Sequence, residues 1–152
     1  MRGWRIAAAA ALVAGAAPAG AASVAELGTK GTAAYERGAT SGVTPVTLGE
    51  QTMCALYWNQ WYGAVDSFFI SDELLAALPE AVDTEAFEAM EAWTDLAMEG
   101  YQERDGNIDA FMAAANRDRP AIADRIRAAA GGDVKAMEGL METLGSCRKP
   151  SA

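Results

Sequence analysis

The spacing of apolar and polar positions changes sharply at residue 50. From Glu50 to Phe69, apolar residues recur at intervals of three and four, which places them on one broad helical face. Asp66 is the only charged residue between Gln51 and Phe69, so this helix is predicted to be the most buried element. The apolar face comprises Cys54, Tyr57, Trp58, Trp61, Tyr62, Val65, Phe68 and Phe69.

Two further helices are predicted before residue 105. Ser71 is a suitable N-cap for a short helix that Pro79 ends. The longest helix is predicted to start at Asp83 or Thr84 and to run to about Glu103. Its predicted inward stripe is Phe87, Met90, Trp93, Thr94, Ala97 and Tyr101, and its opposite side is an acidic ridge of Glu85, Glu88, Glu91, Asp95, Glu99 and Glu103.

Three shorter helices are predicted in the remaining sequence. One begins at Asn107, the next has Pro120 in its first turn, and Asp133 caps the last. The last helix presents Val134, Met137, Leu140, Met141 and Leu144 inward. No strand pattern appears, so residues 50–149 are predicted to form an all-α domain, a small irregular bundle of about four to six helices.

The segments before this domain have a different character. Residues 23–49 are rich in Gly, Thr, Ala and Ser with little apolar periodicity, which predicts a flexible low-complexity leader. Residues 1–22 combine two arginines, an apolar run from Ile6 to Pro18 and small residues at Ala19-Gly20-Ala21-Ala22. This pattern is typical of a secretory signal peptide cleaved near Ala22, and the apolar run is short for a membrane anchor.

Charge and composition narrow the function classes. Without Arg2 and Arg5 the chain keeps 10 basic residues against 21 acidic ones, a net charge of −11. Such a surface repels phosphate backbones and anionic lipids, so neither nucleic acid nor a membrane is an expected partner after cleavage. The chain has no histidine, which removes the commonest general base and metal ligand.

The only two cysteines, Cys54 and Cys147, are predicted to form a structural disulfide. An oxidising exported compartment favours this pairing, and the long spacing does not resemble a C-x-x-C redox motif. The bond would tie the aromatic helix to the end of the last helix. A periplasmic or secreted location follows from the same observations.

Two features of the sequence resemble metal sites, but each is better explained by a structural role. Residues 103–109 resemble part of a calcium loop, but the register places Tyr101 and Met112 where the strongest carboxylate ligands belong. The methionines, including Met137 and Met141, share a stripe with leucines and are interpreted as core rather than as copper ligands. We therefore predict no metal, no cofactor and no assigned catalytic residue.

The aromatic cluster Tyr57, Trp58, Trp61 and Tyr62 is the candidate binding site, because large amphipathic rings can anchor a protein partner or line a pocket for a small apolar ligand. A purely structural role in the core is the alternative. The sequence thus favours a non-enzymatic exported binding protein, with a chaperone-like role or an accessory-subunit role in an envelope complex. The second hypothesis is a small carboxylate-dependent envelope hydrolase, which needs two acids in a concave site.

Overall fold

A computed structural model describes residues 20–150, and every regular element within that range is a helix. The all-α bundle is confirmed for these residues, with seven helices instead of the predicted four to six. The predicted signal peptide lies outside the described residues, apart from residues 20–22. The helices are α1 (Val24–Thr40), α2 (Leu48–Asp66), α3 (Asp72–Ala77), α4 (Ala81–Thr84), α5 (Ala86–Asp105), α6 (Asp109–Ala130) and α7 (Val134–Ser146).

Helix α1 corrects the prediction of a flexible leader over residues 23–49. Ser23 caps it, because the Ser23 hydroxyl accepts a hydrogen bond from the backbone N–H of Glu26 at 3.2 Å. Leu27 and Tyr35 are the only large side chains on its buried face. The other buried positions are small: Gly28, Gly31, Ala34 and Gly38.

The glycines of α1 lie where its backbone approaches α7 and α3. A Cβ on Gly31 would lie 3.2 Å from the Met141 side chain, and a Cβ on Gly38 would overlap the main chain at Glu142. Without side chains at these positions, the two backbones can approach closely. Glycines that resemble a mobile linker in the sequence therefore form a helix–helix contact. Since Gly31 faces residues 137 and 141 while Gly38 faces residues 142 and 146, α1 and α7 run in the same direction.

Helix α2 occupies the centre of the bundle and packs against α5, α6 and α7. It begins at Leu48, two residues before the predicted domain boundary, because Thr47 and Glu50 form a capping box. Thr47 Oγ1 accepts from the backbone N–H of Glu50 at 3.3 Å, and Glu50 Oε2 accepts from the backbone N–H of Thr47 at 2.9 Å.

The predicted disulfide is confirmed. Cys54 in α2 is bonded to Cys147, the residue that follows α7, and their Cα atoms are 5.2 Å apart. Both cysteines are buried. The bond joins residues 93 positions apart and fixes the central helix to the end of the last one.

Helices α5 and α6 differ from their predicted forms. In α5 the buried stripe is Ala86, Ala89, Trp93, Ala97 and Tyr101, so small alanines make the close contact and Phe87 lies at the edge of the contact with 46% of its surface exposed.

Pro120 does not begin a new helix, since α6 continues through it. The buried stripe of α6 extends from Phe111 to Ala129 on both sides of Pro120, and this packing offsets the hydrogen bond that proline removes.

Helix α7 agrees with its prediction. The Asp133 side chain accepts from the backbone N–H of Ala136 at 3.0 Å, which caps the helix. Of its five predicted inward residues, Met137, Leu140, Met141 and Leu144 are completely buried, so the methionines are part of the core, whereas Val134 in the first turn is only partly buried. No helix within residues 20–150 is long and apolar enough to span a membrane.

Candidate binding groove

Three of the four residues predicted to form a binding surface are buried. Trp58 and Trp61 are 1% and 0% exposed, and Tyr57 is 6% exposed. Because α2 is covered by helices on several sides, these rings belong to the core and a partner docking on the folded chain does not reach them. Only Tyr62 remains at the surface, half-buried.

The polar atoms of the buried aromatic residues are satisfied inside the bundle. Trp58 Nε1 donates to the carbonyl oxygen of Cys147 at 2.5 Å, and Trp61 Nε1 donates to the carbonyl oxygen of Val82 at 2.6 Å. Arg125 Nη1 donates to the Tyr57 hydroxyl at 2.5 Å. These hydrogen bonds allow amphipathic rings to be buried without orphaned donors, which supports the structural alternative for these three residues.

Tyr62 lies at an open groove of about 490 Å³ between α2, α5 and α6. Helix α2 contributes the side of the groove around Tyr62 and Gly63, α5 contributes Met90, and α6 contributes Ile126 and Arg127. Ile126 is buried, whereas the rest of the lining is partly or fully exposed. The groove is therefore an apolar depression with several polar side chains in its lining, a form typical of ligand and peptide sites.

Exposed apolar side chains lie at this groove and beside it. Phe69 lines it and is 52% exposed, while Phe68, the preceding residue, is 83% exposed. On the α5 side, the ring of Phe87 lies 5.4 Å from the ring of Tyr62 between centroids, at an interplanar angle of 58°. We call the apolar surface formed by Tyr62, Phe69, Phe87 and Met90 the aromatic rim.

Phe68 has an unusual backbone conformation. Its φ is 57°, and it is the only non-glycine residue with positive φ in residues 20–150. This left-handed conformation ends α2, since the backbone N–H of Phe68 donates to the Val65 carbonyl and that of Phe69 donates to the Ala64 carbonyl. Glycine is the usual residue at such a position, and another residue there costs about 1–2 kcal/mol. The helix end does not require a large exposed apolar side chain.

The only charged residue that lines the groove is a base, and two unpaired acids lie on the neighbouring helix faces. Arg127 is the only base that lines it, and Arg127 forms an ion pair with Asp124 on its own helix. Asp66 lies one turn after Tyr62 on α2, and Glu91 lies one turn after Phe87 on α5. Both carboxylates are exposed, and neither forms an ion pair or a side-chain hydrogen bond within residues 20–150.

The other acids do not form a catalytic pair. All six residues of the acidic ridge are exposed. Where carboxyl pKa values depart from their ordinary values, they are lowered: the pKa of Glu50 by hydrogen bonds from Thr47, and that of Glu88 by the hydrogen bond and charge of Lys149. A hydrogen bond from the neighbouring arginine lowers the pKa of Asp105 and likewise that of Asp118. A general acid needs a raised pKa, so none of these shifts favours the hydrolase hypothesis.

A second cleft of about 610 Å³ lies between the loop at residues 42–45 and the chain end, beside Glu85, Trp93 and Arg148. Glu85 is the only acid that lines this cleft, and the other charged residues of its lining are the bases Arg148 and Lys149, so the cleft does not bring two carboxylates together. Within residues 20–150, no cluster of three or more His, Cys, Asp or Glu side chains could hold a metal ion. At the calcium-like fragment, Gly106 ends α5 with φ 72°, and Asn107 Oδ1 accepts from the backbone N–H of Asp109 at 2.9 Å.

Comparison with known proteins supplies no relative: no protein-family model, no curated protein and no solved structure matches this chain. Sequence reasoning placed Phe68, Phe69 and Phe87 on inward faces and missed their exposure. The available signal was the apolar run Phe68-Phe69-Ile70 between Asp66 and Asp72, which extends beyond the end of the helical pattern.

Proposed function

We propose that this chain is an exported, non-enzymatic binding protein that holds an apolar ligand or partner segment in the groove between α2, α5 and α6. Phe69 carries the proposal, because it lines the groove and is nevertheless 52% exposed. Covering a phenylalanine ring contributes roughly 1.5–3 kcal/mol, so an occupant of the groove would gain from this rim.

Export is supported by two features of the chain. The first 22 residues have the composition of a secretory signal peptide. The pair Cys54–Cys147 is bonded, and a buried structural disulfide fits an oxidising compartment such as the periplasm or the extracellular space. The location proposed for the chain is therefore outside the cytoplasm.

A binding assay with a neutral environment-sensitive dye, Nile red, tests the groove directly. The blocking variant is Gly63→Leu: a Cβ at Gly63 meets nothing within 4 Å, so leucine fits the exposed helix face and projects into the groove that Gly63 lines. Gly139→Leu is the matched control, since a Cβ there is also free of contacts and residue 139 does not line the groove.

The dye is expected to bind the unchanged protein and the Gly139→Leu variant, and to bind Gly63→Leu at least about tenfold more weakly, as expected when a central pocket is filled. Phe69→Ser should weaken binding in the same direction with little loss of thermal stability, because about half of the Phe69 surface is exposed. The proposal fails if Gly63→Leu, folded by circular dichroism, binds the dye as well as the control does.

A further inference from the structure

We infer that the groove binds a cationic amphipathic segment of a partner protein, with the apolar side chains of the segment on the aromatic rim and its lysines or arginines against Asp66 and Glu91. The inference rests on the proposed function and adds the chemical class of the occupant. It follows from the positions of the charges around the groove.

The shape of the site suits a helical segment. The groove lies between helices and is lined by Tyr62, Phe69 and Met90 around the buried Ile126. Amphipathic helices bind in such grooves through apolar anchors spaced at i, i+3, i+4 and i+7. Methionine and phenylalanine side chains adapt to anchors of different shape, so the rim does not demand one particular sequence.

Two carboxylates follow the aromatic pair Tyr62 and Phe87 by one helical turn. Asp66 follows Tyr62 by four residues on α2, and Glu91 follows Phe87 by four residues on α5, so each acid lies on the same helix face as one ring. The two rings are in contact with each other. The acids therefore border the rim on two different helices, as expected for a surface that receives a basic apolar segment.

The negative charge at these positions is not neutralised by neighbours. Helix α2 has no basic residue in its last turn, where the helix dipole already disfavours the carboxylate of Asp66. The one base of the groove, Arg127, forms an ion pair with Asp124. A cation supplied by a partner would stabilise Asp66, whereas an anionic partner would add to the repulsion.

The net charge of the chain around the groove is negative. Residues 50–109, which include α2 and α5, contain 14 acids and one base, Arg104, which gives −13, whereas residues 110–152, which include most of α6, contain five acids and seven bases, which gives +2. A negative field attracts cationic segments and raises their association rate in a salt-dependent way. Charge complementarity therefore favours a basic partner over a neutral lipid or a second copy of this acidic chain.

The experiment compares two helical probe peptides with the purified, oxidised protein. Both carry leucines at i, i+3, i+4 and i+7, and their remaining positions are lysine in one peptide and glutamate in the other. Fluorescence anisotropy of the labelled peptides at low and at physiological salt measures their affinities. We expect the lysine peptide to bind, with weaker affinity at the higher salt, and the glutamate peptide to bind at least about tenfold more weakly.

Charge variants test the two acids. Asp66→Asn with Glu91→Gln removes both carboxylates and is expected to weaken the lysine peptide about three- to tenfold, the range for two exposed charge pairs. Glu99→Gln with Glu103→Gln is the matched control, because it removes the same charge from exposed positions that lie eight and twelve residues beyond Glu91 on α5, away from the aromatic rim.

The outcomes separate this inference from the proposed function. If Nile red binding depends on Gly63 but the two peptides bind equally, the binding function stands and a cationic occupant is refuted. Equal losses in the two charge variants would show nonspecific attraction and also overturn the inference. A dimer that Gly63→Leu dissociates would assign the groove to a second copy. Lysine-peptide binding only after residues 1–19 are removed would assign it to that basic, apolar segment of the chain.

Discussion

Replacing Gly145 by alanine is expected to disrupt the contact between α1 and α7. Gly145 is buried in α7, and a Cβ at this position would overlap the carbonyl oxygen of Tyr35 and lie 3.0 Å from the backbone nitrogen of Ala39. These atoms belong to the main chain of α1, so no flexible side chain can move aside. The two helices must separate for the methyl group to fit.

The magnitude follows from two opposing terms. Alanine in a helix gains about 1 kcal/mol over glycine. Overpacking a well-packed contact costs about 1–3 kcal/mol and occasionally more, and a gap of about 0.5–1 Å forfeits a quarter to a half of each contact that it opens. With main chain on the opposing side, a cost near the upper end gives a net loss of about 2 kcal/mol, or roughly 6–10 °C in Tm for a domain of this size.

Gly139→Ala provides the matched control on the same helix. A Cβ at Gly139 meets nothing within 4 Å, so only the helix-propensity gain of about 1 kcal/mol applies and Tm should rise by about 3–5 °C. Thermal unfolding followed by far-UV circular dichroism compares the two variants with the unchanged protein. If Gly145→Ala is as stable as Gly139→Ala, the close contact of α1 with α7, and with it the correction of the flexible leader, is refuted.

Four further predictions concern the core, the helix cap and the chain start. Cys54→Ser should lower the free energy of unfolding by about 2–5 kcal/mol in a denaturant titration, and an unchanged value would contradict a stabilising role for the disulfide. Trp61→Ala should lower it by about 3–5 kcal/mol, since the ring is completely buried and bonded to Val82; a change typical of a surface residue would contradict this position. Hydrogen bonds from Thr47 lower the pKa of Glu50 below its ordinary value, so the folded chain favours the Glu50 carboxylate. The stability advantage over Glu50→Gln should therefore be present at neutral pH and disappear as pH falls through the lowered pKa. Thermal scans in which the advantage persists in acid would refute this. Intact-mass measurement of the exported protein should place its first residue at Ala22 or Ser23, and retention of Met1 would refute cleavage.

The sequence was most informative where large apolar residues recur on one side of a charged helix. Helix α7 is the clearest example: its cap at Asp133 and its four buried residues follow from spacing alone. The disulfide followed from cysteine count and from the class of compartment. The prediction of α7 depends on local spacing, and the prediction of the disulfide depends on there being only two cysteines to pair. Neither prediction needed the positions of the neighbouring helices.

The aromatic residues of α2 mark the limit of this reasoning. Periodicity showed that Trp58 and Tyr62 share a broad face, but a broad face can be covered by one helix or by three. Their exposure depends on α5, α6 and α7, which pack over most of the face and leave Tyr62 at an edge. Phe87 shows the same limit, since its neighbours Ala86 and Ala89 make the closer contact and displace it to the rim.

The sequence by itself determined the helical class of the chain, its acidic surface and its disulfide, because these depend on local spacing, composition and covalent chemistry. Only the tertiary structure decided that the glycines of α1 are packing positions and that the exposed aromatic surface lies around Tyr62 and Phe69. Composition cannot distinguish a glycine that makes a segment flexible from a glycine that allows the backbone of a second helix to pack closely against its own. The physical difference is the presence of α7 against Gly38, and that contact joins residues more than 100 positions apart.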